Sequence, residues 1–209
     1  MSTIYYALIA DAIASRDLPP RARRRLQDAV RHTLPEFNRR WRPHLAARFA
    51  VTLGDEIQGL LHHPGPIWEI AHGIRLTLPQ VEWIVACGRG PLTTRLFPHA
   101  AAPELDGPCF HEARTALERA KRDHQILAFS GFPDDRLAPL ASYYSALYWS
   151  WTRRQREAAT RWRWMATGRD APPGARERRH PSARSHLRRR MAWPLVAAGD
   201  KMFRALLEA

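Results

Sequence analysis

Asp11 closes the apolar run IYYALIAD, and Asp55 with Glu56 interrupts a second one, AVTLGDEIQGLL. Acids in such places are either solvated at turns or gathered at one edge of a sheet. Gathered carboxylates suit a hard cation such as Mg²⁺, which keeps several waters and takes phosphate oxygens as further ligands. Asp11, Asp55 and Glu56 are therefore candidate metal ligands. A second group lies near the C-terminus, where Ser182, Arg184, Ser185, His186, Arg188, Arg189 and Arg190 crowd into SARSHLRRR. These side chains suit DNA phosphates and base edges, the alternative being a solvated basic tail.

Other chemistries find little support. The ten histidines form no HExxH and no paired Cys/His spacing, so no zinc site is legible. Cys87 and Cys109 form no CxxC and are too few for a disulfide framework, which points to buried thiols in a reducing cytoplasm. No apolar run reaches the roughly 18 residues that a membrane span needs.

The 209 residues carry a net charge of +13, and its placement is uneven. Residues 1–150 hold 18 Lys+Arg and 15 Asp+Glu, whereas residues 151–209 hold 15 and 5. The basic excess is thus C-terminal and almost entirely arginine, which favours a polyanionic partner for that region.

The elements that must position these groups follow from periodicity. Ile4 to Asp11 reads as a central strand. Ala22, Leu26, Val30, Leu34, Phe37 and Trp41 keep helical spacing over 21–41, with a kink or break expected at Pro35. Arg48–Leu53 and Ile57–Leu61 read as a hairpin turning at Gly54, Asp55 and Glu56. A helix opens after Pro64-Gly65-Pro66, a strand spans Val81–Cys87, and a helix starts at Asp106-Gly107-Pro108. Gln125–Phe129 is a last strand. The order is β-α-β-β-α-β with a further helix and strand, an α+β palm-type, ferredoxin-like fold whose sheet is mainly antiparallel with helices on one face. Residues 133–209 read as helical, with Thr152 capping RRQREAATRWRWMATG, Gly168 ending it, and a helix-turn-helix-like basic region beyond. The expected division is 1–132 and 133–209.

The segments ALIADAIASR, Phe37-Asn38, FAVTLGDEIQGLL and DGPCFHEAR resemble the SatD family, and TRRQREAATRW with the basic region after it resembles that family's C-terminal helix-turn-helix. The resemblance implies a bacterial protein associated with stress and acid tolerance, with no settled enzymatic activity. More distantly, the first segments resemble the palm domains of nucleotidyl and diguanylate cyclases, in which acids matching Asp11 and Asp55 hold two metal ions against a triphosphate. There the GGDEF signature lies over Leu53, Gly54, Asp55, Glu56 and Ile57, with Leu53 in place of a glycine. The polar residues of the matched segments, Arg16, Gly54, Gln58, Asp106, His111 and Arg114, are the candidate nucleotide contacts. For Arg114 an ion pair to Asp106 or Glu118 is the alternative. The expected function is a regulatory protein that couples nucleotide and Mg²⁺ binding to DNA contact. A metal-dependent nucleotidyl transferase or cyclase and a non-catalytic scaffold are the rivals. A second copy of the chain is a further candidate partner.

Overall fold

The computed structural model describes residues 2–52, 54–166 and 181–208. Five strands, β1 (Tyr5–Ala12), β2 (Leu45–Val51), β3 (Ile57–Leu61), β4 (Trp83–Gly90) and β5 (Leu127–Ser130), form one sheet in the order β2-β3-β1-β4-β5. Seven α-helices accompany them among the described residues: α1 (Pro20–Trp41), α2 (Ile67–Thr77), α3 (Pro108–Arg122), α4 (Leu137–Ser150), α5 (Arg153–Ala166), α6 (Pro181–Arg190) and α7 (Trp193–Glu208). Neighbouring strands are antiparallel except β4 and β5, which are parallel. The chain is α+β, and its first four strands with α1 and α2 follow the expected β-α-β-β-α-β order.

The helices cover both faces of the sheet, contrary to the expectation of one. A parallel pair needs a crossover, and α3 makes it between β4 and β5. The two-residue period of the strands sorts their side chains accordingly. Leu8, Ala10, Ile57, Leu61, Val85 and Cys87 join the core under α1 and α2, while Ala7, Ile9, Leu60, Ile84 and Ala86 join a second core with Ala113, Ala116 and Leu117 of α3. α3 lies directly on β4, because Gly88 has no side chain: a Cβ there would stand 2.1 Å from the backbone nitrogen of Ala113.

α1 buries Leu26, Val30, Leu34, Phe37 and Trp41 as its spacing predicts, but it does not break at Pro35. Pro35 is exposed, so the carbonyl it deprives of a partner lies on the solvent side. Asn38 on the inner side clamps the next strand. Its amide donates to the Phe49 carbonyl at 2.8 Å and its oxygen accepts from the Phe49 N–H at 2.7 Å. β2 pairs irregularly with β3 between Ala47 and Ala50, so Asn38 satisfies backbone groups that the ladder skips. The Phe49 ring then fills the space over Gly59.

The later helices close over the first core. Thr152 and Gln155 cap α5 reciprocally: the Thr152 N–H donates to Gln155 Oε1 at 2.8 Å, and the Gln155 N–H donates to Thr152 Oγ1 at 3.3 Å. The predicted helix end at Gly168 lies outside the described residues. Trp68 of α2 stacks on Phe203 of α7 at 4.1 Å. Beside them Arg163 of α5 makes a doubly hydrogen-bonded pair with Asp200 of α7, at 2.8 and 2.9 Å, and donates to the Tyr144 hydroxyl at 2.9 Å. The core on this face therefore runs without interruption from Leu8 to Leu207. Among the described residues no helix is long and apolar enough to cross a membrane.

Candidate functional site

Strand alternation decides which acids can meet. Asp11 lies on the α3 side of β1, two residues beyond Ile9. β1 pairs with β3 through Ala10 and Ile57, so Glu56 falls opposite Asp11, one step past the last pair. Gly54, with φ of 73°, turns the chain between β2 and β3. The result is a cavity of about 640 Å³ lined by Asp11, Asp55 and Glu56 from the sheet edge, Arg16 and Asp17 from the loop after β1, and Arg114, Glu118 and Lys121 from α3. Thr52 and Gln58 complete its polar wall.

Each of two acids already has a cation. Lys121 Nζ stands 3.1 Å from Asp11 Oδ2. Arg114 grips Glu56 with both ends of its guanidinium, at 2.6 and 2.8 Å, and the same carboxylate accepts from Gln58 at 2.9 Å and Thr52 at 3.0 Å. Burial pushes the Asp11 carboxyl up from its ordinary value; Lys121 opposes that rise, and the charges of Asp55 and Glu56 reinforce it. All three acids line the same cavity. Burial also works to raise Glu56, but the hydrogen bonds from Arg114, Gln58 and Thr52 prevail and hold it below the usual range.

Arg16, Gln58 and Arg114 line the same cavity as Asp11, Asp55 and Glu56, and the partner of Arg114 is Glu56, not Asp106 or Glu118. Gly54 shapes the turn without lining the cavity. Asp106 and His111 are not brought to it: they pair with each other, Nε2 to Oδ1 at 3.1 Å, at the start of α3. α3 lays its first turn against Gly88 and Gly90, at the far end of β4 from Ile84, the partner of Asp11, so residues at that start cannot reach Asp11. Leu53 lies outside the described residues. Asp17, Thr52, Glu118 and Lys121 also line the cavity without being among the expected site residues, and for the last two the sequence held a signal. Arg114, Glu118 and Lys121 follow i, i+4, i+7 spacing on one helical face, and Lys121 is one of two lysines in the chain.

The donor set fits Mg²⁺ chemically, being all oxygen, and the lining has five carboxylates against three cations. In the present geometry the described residues include no group of three or more His, Cys, Asp or Glu placed to hold a metal. Asp11 and Glu56 face cations instead.

The basic region presents differently. Ser182, Arg184, Ser185, His186, Arg188, Arg189 and Arg190 all lie exposed on α6. Arg188 stacks over the Trp162 ring at 5.2 Å, and Arg189 lies 3.3 Å from the His186 ring nitrogen. α6 meets α7 through a tight turn at Met191 and Ala192, with Ala192 in the left-handed region at φ of 46°.

The model of the SatD family matches residues 5–128, a span that contains the whole sheet except its last two residues and every residue lining the acidic cavity. No curated protein and no solved structure matches the chain.

Proposed function

The chain belongs to the SatD family, and from that premise we propose that it is a bacterial regulatory protein whose palm-like sheet binds a nucleoside triphosphate with Mg²⁺ and whose C-terminal helices contact DNA. The cavity at the Asp11 edge carries this reading. It pairs hard-oxygen donors with Arg16, Arg114 and Lys121, and its excess of carboxylates favours a ligand that arrives with a cation. Asp11 and Asp55 would hold the metal, which when bound neutralises phosphate charge. Arg16 and Lys121 would take phosphate oxygens, and Gln58, on the polar wall, would hydrogen-bond the nucleoside. On α6 the exposed arginines supply phosphate contacts, whose strength rests on counterion release. Ligand occupancy would then bias DNA contact through the core shared by α2, α5 and α7.

Thermal stability measured with ATP or GTP, with and without Mg²⁺, tests the ligand half. An upward shift is expected in the native chain and is lost in Asp11→Asn and Asp55→Asn; no shift with any nucleotide overturns it. Labelled nucleotide incubated with Mn²⁺ extends the test, because turnover that disappears with either substitution makes the protein an enzyme.

A further inference from the structure

We propose that Lys121 is a built-in counterion that a divalent metal must displace from Asp11, so that metal and polyphosphate enter the cavity together and each binds weakly alone. This inference rests on the ligand reading above and adds how the site discriminates. The two internal ion pairs are unequal. Glu56 is held by a planar fork and two further donors, its side chain only 12% exposed, so Arg114–Glu56 acts as a fixed strut between α3 and the hairpin. Lys121 offers Asp11 one contact from a flexible stem, and its side chain is 40% exposed. An ammonium is a compact point charge that reorients at little cost. It is the exchangeable partner.

Consider what each half of the ligand meets. A bare divalent cation has to compete with Lys121 for Asp11 and leaves that ammonium beside a second positive charge. A bare polyphosphate meets five carboxylates and finds Lys121 and Arg114 already engaged. When both arrive, Asp11 passes from Lys121 to the metal and Lys121 passes from Asp11 to a phosphate oxygen. Every charge keeps a partner, which neither half achieves alone. The site thereby selects metal-complexed polyphosphates over free metal and over uncomplexed anions.

The test is Mn²⁺ binding without nucleotide, followed by electron paramagnetic resonance, for the native chain, Lys121→Met and Lys121→Arg. Lys121→Met should bind bare Mn²⁺ about tenfold more tightly than the native chain, within the usual range of coupling between sites, whereas Lys121→Arg keeps the block. In parallel, calorimetry with tripolyphosphate in EDTA and with Mg²⁺ should show strong metal dependence in the native chain and a much smaller one in Lys121→Met. Equal Mn²⁺ binding by the native chain and Lys121→Met overturns the exchange. It leaves the ligand reading intact if the native chain still gives an Asp11-dependent shift with Mg²⁺ and ATP or GTP. Absence of every response removes both.

Discussion

His72 shows how a single residue can set the pH range of the fold. It is 2% exposed, and among the described residues neither ring nitrogen has a hydrogen-bond partner. Its ring meets Trp68 at 4.5 Å and Tyr144 at 6.0 Å, with Arg163, Arg75 and Arg204 as the nearby charges and Glu69 on the same helix paired to Arg204. Burial, then those three arginines, holds its pKa well below 6.5. The folded protein therefore binds fewer protons than the unfolded chain, and stability is full above pH 6.5 and falls as the pH drops below it. The slope should be about 1.4 kcal/mol per pH unit from this group. Urea midpoints at pH 5 to 8 should show that slope in the native chain and a loss of it in His72→Phe. Arg163 and Asp200 form a buried ion pair. Removing one partner strands a charge, so Arg163→Met should cost about 3–5 kcal/mol, and Arg163→Met with Asp200→Leu should recover most of that in denaturant unfolding.

At the scale of elements, the site depends on where α3 lies, and α3 depends on Gly88. A methyl group there would collide with the backbone of Cys109 and Ala113, which cannot move without carrying the helix away from β4. Gly88→Ala should destabilise by about 3 kcal/mol or more, and it should abolish the Mg²⁺-nucleotide shift, because Arg114 and Lys121 move with the helix. Asn38→Ala instead frees the backbone of Phe49. It should cost about 1–3 kcal/mol with the ligand response retained, since the clamp lies on the other side of the sheet. The elements themselves were legible: the apolar periodicity of β1, α1 and α3 and the turn at Gly54 are local properties. The continuity of α1 through Pro35 was not, because it turns on which side of the helix faces solvent. Coverage of both sheet faces was hidden as well, since it follows from the parallel pairing of β5 with β4.

At the scale of the molecule, the chain separates its charges, with acids clustered at the Asp11 edge and arginines concentrated beyond residue 150. DNA affinity of the whole chain should fall steeply with salt, and neutralising Arg184, Arg189 and Arg190 together should reduce the log–log slope by about 3 in a gel-shift titration. A salt-independent affinity, or none at low salt, removes the DNA role. By itself the sequence determined the element order, the α+β class, the SatD resemblance and the acids that line the cavity, because apolar spacing, turn residues and short motifs are written along the chain. The tertiary structure alone decided which of those polar residues meet. Lys121 reaches Asp11 and Arg114 reaches Glu56 across 110 and 58 residues of chain, while Asp106 and His111, within the same motif as Arg114, stay at the opposite end. The reason is directional: strand register and the course of α3 along β4 fix which ends coincide, and neither is encoded in any local stretch.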